Sequence, residues 1–388
     1  MFDGKTAADF LASPDVRVAY GEEINKEMIV KSKVSPFIAK NPNDDKAIIS
    51  GVVGTLEQGN NIRVPFIDEL LDAGARGNVK FNASEEELKK LSMFIKADVI
   101  QHSVPSTETV LNPNSAKKFQ STAKTKLKNW ATRKFDSIII SSFSANCTNI
   151  VACGHHNDGT TANITINDKF SLADVSEAKQ RAEQGYAYDS TGAKIIVPQL
   201  QPTSHEENEQ KGYFETLNFY VMWLGSDAER DLKGDPNWIS AQKEAKERGK
   251  DNPLFSGSLG FWDGVLLLPF KTANTRQSGI LRSDSKEFTG FSNTKKFDLS
   301  VYSGDSGIPT EINLFLGAKA GAIAVDQAAN FYDWADKDDP RYAKAGTDKI
   351  FGFAKTKYIS ADNDDLLEDN VYNGKDFGVI AVVSPCRA

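Results

Sequence analysis

The chain has 388 residues, 40% of them apolar and 26% charged, and a formal net charge of −7. That length exceeds one small core and predicts two or three domains, while the composition excludes a disordered polyampholyte and a strongly basic nucleic-acid binder. Three cysteines cannot close a disulfide set, no run approaches the roughly 18 apolar residues of a membrane span, and Met1 to Pro14 lacks a signal-peptide core, so the product is expected to fold and stay in a reducing cytoplasm.

Residues 1–50 mix charges, isolated hydrophobics and the breakers Pro14, Pro36 and Pro42, with a short helix expected around Gly21 to Val30. Such a segment buries too little surface to order itself and needs contact with something else. Between residues 60 and 104 apolar positions alternate: Ile62, Val64 and Phe66, then Met93, Ile95, Ala97 and Val99. Side chains two apart share one strand face, which predicts a long antiparallel pair. Its tip, residues 68–91, carries Gly74, Gly77, Glu85, Glu86 and Glu87 and is too polar for a core. A two-stranded ribbon is marginal alone in water, so it rests either on its own domain or on another body.

Asn112 and Pro113 supply a cap and a first helical residue for the longest helical pattern. Phe119, Ala123, Leu127, Trp130, Ala131, Phe135 and Ile138 recur every three or four residues and make one apolar stripe to about Phe143. Such a helix would be roughly 45 Å long. Its other faces hold Lys117, Lys118, Lys124, Lys126, Lys128, Arg133 and Lys134, with no acidic residue between Asn112 and Phe135. A charge run of this kind is either a solvated face or a contact for something anionic.

Cys147, Cys153, His155 and His156 have metal-ligand chemistry, but the spacing matches no usual zinc pairing, and a turn collecting small polar residues accounts for it. No metal or other cofactor is expected. Ser171 caps a helix to about Glu183 that Gly185 ends; Ile195 to Val197 follows as a strand, then the polar loop His205 to Glu209.

Residues 213–270 read as strand, helix, turn, helix, loop, strand. Leu217 to Leu224 is a short strand with both faces covered. Ser226 with Glu229 suggests a capping box, Asp235-Pro236 starts the second helix, Gly249 closes it, and Val265 to Phe270 returns as a strand. Residues 271–311, rich in Ser, Gly, Thr and Lys, read as a surface insertion. Within it, Gly304-Asp305-Ser306-Gly307 echoes the nucleophile motif of chymotrypsin-like proteases, with His102, His155, His156 and His205 as nominal bases. The same residues also make turns for backbone reasons alone. A hydrolase using Ser306 is the alternative from another class. The Gly257, Gly260, Gly264 spacing precedes a strand and fits neither a P-loop nor a dinucleotide fingerprint.

The succession Ser-Asp helix, Asp-Pro-x-Trp, Asp-Asn-Pro-Leu-Phe-x-Gly and Gly-Phe-Trp-Asp-Gly-Val resembles the N4-like major capsid family of tailed bacteriophages. Asn313 to Ala318 before an Ala-rich segment, and Lys375 to Val382 near the C-terminus, agree with it. The resemblance implies an α+β, HK97-type capsid fold: an N-terminal arm over 1–55, an E-loop over 56–108, a peripheral domain with a spine helix over 109–165, an α/β axial domain over 166–339 and a return to the peripheral domain over 340–388. It implies a shell subunit, not an enzyme, joined into hexamers and pentamers around double-stranded DNA and located in the virion after assembly in the host cytoplasm. The arm and the E-loop tip (Glu85, Glu86, Glu87) would lie on neighbouring subunits, and the basic helix face would meet a subunit or packaged DNA. Scaffolding, portal and decoration proteins are possible separate partners, with no membrane. Because fold-like features start within about 20 residues of Met1, the virion form is expected to retain nearly the whole chain.

Overall fold

A computed structural model describes residues 13–39, 46–53, 61–67, 90–110, 112–206, 216–245, 259–271, 279–284, 299–358, 372 and 374–387. Two sheets dominate. The first has the order β1 (Ile49–Val53), β13 (Gly321–Ala335), β14 (Ala343–Lys355), β4 (Asp98–Pro105). The second runs β10 (Gly260–Trp262), β11 (Val265–Pro269), β9 (Thr216–Leu224), β12 (Thr310–Leu316), β15 (Val379–Pro385), β5 (Ile150–Ala152), with β8 (Thr203–Glu206) also paired to β9. Two small antiparallel pairs are separate: β2 (Asn61–Ile67) with β3 (Lys90–Lys96), and β6 (Tyr186–Tyr188) with β7 (Lys194–Ile196).

The central strands of the second sheet are buried on both faces, which is why β11, β15 and most of β9 read as apolar runs. Along β9, Val221 and Trp223 enter one core while Tyr220, Met222 and Leu224 enter another. In β15, Val379, Ala381 and Val383 likewise alternate with Ile380 and Val382. The second core is closed by α3 (Leu172–Gln184), α4 (Ser226–Lys233) and α5 (Pro236–Ala245). The first core is shared with the long helix α2 (Pro113–Ser144) and the four-stranded sheet. Trp223, fully buried, joins the two bodies: its ring lies 5.5 Å from Phe37, 5.8 Å from Phe143 and 4.9 Å from Phe270, centroid to centroid.

Helix α2 has 32 residues, about 48 Å at the α-helical rise. Asn112 caps it by accepting from the Ser115 N–H at 2.8 Å. Ala123, Leu127, Ala131, Phe135 and Ile138 are buried and Phe119 and Trp130 pack against the same core, so the stripe is the one the sequence spells. Helix α3 also begins and ends as expected: Asp174 accepts from the Ser171 N–H and hydroxyl, both at 2.8 Å, and Gly185 takes φ 66°.

Several expectations change. Helix α4 starts after Gly225, and Ser226 and Glu229 form no capping box. The cap comes from Glu311 in β12, whose buried carboxylate accepts from the N–H groups of Ser226, Asp227 and Ala228 at 2.9 to 3.1 Å. Burial pushes the Glu311 pKa up despite these bonds. Glu229 instead pairs with Lys233 and Lys271. Only glycine fits at 225, since a Cβ there would fall 1.8 Å from the Glu311 carboxyl carbon. His205 lies in strand β8 and not in a loop. Gly249 lies outside the described residues.

The segment 271–311 is no simple surface insertion, because its described parts enter the core. Ile280, Leu299 and Tyr302 are buried, and the Tyr302 hydroxyl accepts from the Cys147 N–H at 2.8 Å and donates to the Ser144 carbonyl at 2.9 Å. Strand β13 pairs with β14 over most of its length, and β15 pairs with β12, so each main sheet draws strands from both before and after residue 340. The ribbon β2–β3 is an antiparallel pair as expected, with Ile62 opposite Ile95 and Val64 opposite Met93. Beyond Ala97 the chain leaves it, and Val99 lies in β4 against β14.

Candidate assembly surfaces

The expected arm is in part an internal helix. Helix α1 (Pro14–Lys31) buries Gly21, Ile24 and Met28 on the chain's own sheet and on α2. Gly21 permits that approach, because a Cβ would fall 2.6 Å from the Ala329 carbonyl oxygen. The helix is weakly amphipathic, and polar groups add to the packing of Ile24 and Met28. Arg17 donates to buried Asp333 at 2.5 Å, which also accepts from Gln120 at 3.0 Å. At the other end Ser32 donates to buried Asp136 at 2.5 Å, and Asn25 accepts from Lys349 at 2.7 Å. Burial lowers the Lys349 pKa to about 8.

This docking divides the basic face. Lys124 pairs with Glu23 at 2.7 Å, and Lys128, itself buried, meets Glu23 at 3.1 Å as well as Glu27. Those two lysines are therefore counter-charged within the chain and are not available to an outside partner. Lys117, Lys118, Lys126 and Arg133 are exposed and make no ion pair among the described residues; Lys134 is half-buried. Glu85, Glu86 and Glu87 lie outside the described residues.

The latch has a pH signature. Hydrogen bonds from Lys124 and Lys128 lower the Glu23 pKa, and bonds from Lys128 and Lys31 lower that of Glu27. For an acid whose folded pKa is depressed, the stabilisation is present above the unfolded value near 4.5 and is lost as pH falls through the folded one. Replacing both glutamates with glutamine should cost roughly 1–3 kcal/mol at neutral pH, the partial exposure of the acids holding it below a fully buried pair. Denaturant titrations between pH 3 and 7 should show a flatter acid limb in the variant; an unchanged limb would mean that these pairs contribute nothing.

The remaining chemistry-bearing clusters are structural. Cys147 and Cys153 are buried free thiols whose pKa values burial raises. His156 Nε2 lies 2.7 Å from buried Asp174, a bond that raises the His156 pKa, while His155 lies 3.3 Å from Asp168. No group of three or more metal-ligating side chains converges among the described residues. Ser306 sits at the centre of a tight turn with φ 52° and donates only to neighbouring Asp305, at 3.1 Å; no histidine bonds it among the described residues. The Gly-Asp-Ser-Gly sequence is thus a turn made for its backbone.

The least expected cluster is buried. Lys355, the last residue of β14, donates to Asp376 at 2.9 Å and to the Ala145 and Asn146 carbonyls, just past the end of α2, at 2.6 and 3.3 Å. Asp376 also accepts from the Thr148 N–H at 2.8 Å. Nothing in the local sequence pairs these residues, which are brought together only by the tertiary fold.

A family model described as phage capsid protein matches residues 25–387. The major capsid protein of Pseudomonas phage KPP25 is 23% identical over 355 residues, 84% of each chain. The major structural protein ORF14 of Helicobacter pylori bacteriophage KHP30 is 23% identical over 335 residues, 81% of this chain and 82% of the relative. The solved capsid of that Helicobacter phage superposes with a TM-score of 0.65 at 19% identity over 92% of both chains, the α+β capsid fold that the motifs imply. The chain belongs to the phage capsid protein family, as a shell-forming structural protein and not an enzyme.

Proposed function

We propose that many copies of this chain close into an icosahedral head shell around double-stranded DNA, through hexamers and pentamers of the N4-like type. The observation that supports this is the match of nearly the whole chain to capsid proteins, together with the β2–β3 ribbon, which forms a sheet of its own apart from the two main ones. Heterologous contacts close a shell when their geometry is curved. The virion is the location, and assembly takes place in the host cytoplasm with scaffolding, portal and decoration proteins as separate partners. Electron microscopy of the protein expressed alone and with its neighbouring gene products tests the reading: closed particles are expected, and a persistent monomer would overturn it.

The exposed cations on α2 fit an anionic partner, either packaged DNA or the acidic surface of an adjacent subunit. Phosphate contact would be nonspecific and would weaken steeply with salt. Replacing Lys118, Lys126 and Arg133 with glutamine should lower particle stability or packaging at low ionic strength. Equal melting of variant and native particles would instead favour a solvated face. Lys124 and Lys128 are the wrong probes, because their loss unseats α1.

A further inference from the structure

The outer face of the four-stranded sheet carries an open groove of about 440 Å³, lined among others by Gln101, Ser103, Tyr332, Trp334, Gly346 and Asp348. Strand alternation places it opposite the helices. On β13, Phe331 packs on Tyr20 of α1 and Asp333 bonds Arg17 and Gln120, so Tyr332 and Trp334 point the other way and are exposed. Trp334 lies across Gly346, where a Cβ would fall 3.2 Å from its ring, which leaves the opposite ring face to solvent.

At one end of the groove, Asp348 accepts only from neutral donors among the described residues: Asn330 at 3.0 Å and the Tyr332 hydroxyl at 3.3 Å. Earlier on the same segment, Lys344 pairs with Asp336 at 2.9 Å and Arg341 with Asp339 at 2.7 Å. A carboxylate without a cation beside two exposed aromatic rings is the environment that a lysine or arginine side chain enters favourably.

The same molecule presents such side chains. Lys117, Lys118, Lys126 and Arg133 stand on α2, exposed, without an acidic neighbour along the helix before buried Asp136. They cannot reach the groove of their own chain, because α2 covers the inner face of the sheet whose outer face holds it. We infer that the groove formed by Trp334, Tyr332 and Asp348 receives the basic face of α2 from a second copy. Donor and receptor on opposite sides of one layer make a head-to-tail contact that repeats from copy to copy, as a ring requires. The inference rests on the shell reading and names one of its contacts.

Two measurements on the full chain test it. Particles assembled from mixed light and heavy-isotope subunits, treated with a zero-length carboxyl-to-amine coupling reagent, should yield a mixed-isotope peptide joining Asp348 to Lys117, Lys118 or Lys126. Asp348→Lys should cut particle yield at least tenfold with monomer melting unchanged, and adding Lys118→Glu, Lys126→Glu and Arg133→Glu should restore it. Normal yield from Asp348→Lys, or coupling of Asp348 to other positions only, overturns the contact and leaves the shell reading standing. Absence of particles from the native chain overturns both.

Discussion

Lys355→Met should lower the stability of the isolated subunit by about 3–5 kcal/mol, because it leaves a buried carboxylate without its cation. The Lys355 and Asp376 side chains are 5% and 1% exposed. Asp376 would keep the Thr148 N–H, but its second oxygen already lacks a partner among the described residues. Burial is the largest single influence and acts against the Lys355 ammonium, yet the charge and hydrogen bond of Asp376 together with neighbouring Cys147 outweigh it and the pKa is raised. For a base with a raised folded pKa, the contribution is complete below the unfolded value near 10.5 and fades only as pH climbs through the folded one. The pair is thus intact throughout the physiological range. Its position gives the loss structural consequence: one side chain holds the end of β14, the carbonyls past α2 and the segment leading into β15, and so fastens the two sheets to each other. Urea titration should show a lower midpoint, and adding Asp376→Asn should recover a large part of it by removing the stranded charge. A single-variant cost below about 1 kcal/mol would mean that water or rearrangement replaces the lysine.

Much of this architecture was legible because its signals are local. Asn112, Pro113 and a stripe at spacings of three and four define α2, and Ser171 and Gly185 bound α3. The buried runs of β9 and β11 follow from apolar residues with both faces covered. The long pair β13–β14 was not legible. Its first half is rich in alanine, a weak strand former, and its second half is where α1 packs, a contact more than 300 positions away in sequence. The cap of α4 is hidden for a similar reason: Ser226 and Glu229 have the spacing of a capping box, but the carboxylate that binds the helix start comes from β12. Asp263 and Gly264, with φ 47° and 77°, form the two-residue turn between β10 and β11, and Asp-Gly is a strong hairpin signature. The basic face shows the limit of reading charge along one helix. Counting acids between Asn112 and Phe135 found none, yet Glu23 and Glu27 arrive from α1 and neutralise the two lysines that face it.

The ribbon β2–β3 offers the sharpest separation of folding from assembly. Its strands pair with each other over Asn61–Ile67 and Lys90–Lys96 and form a sheet apart from the two main ones. Residues 68–89, which connect them, are polar in sequence and lie outside the described residues. Both main cores are built from other segments, and the ribbon meets the four-stranded sheet at its base, where Ile95 is buried beside Gly352. Replacing residues 70–88 with a short Gly-Ser turn should therefore cost the isolated subunit little, since loop-closure entropy changes slowly with length. If the tip rests on an adjacent subunit, its loss is repeated at every equivalent contact of the shell. One or two kcal/mol per interface then becomes decisive for closure, because assembly multiplies small contact energies. The expected variant is a soluble, cooperatively melting monomer that yields no closed particles by electron microscopy or sedimentation. Normal assembly, or failure to fold, would instead identify the ribbon as a hairpin serving its own domain.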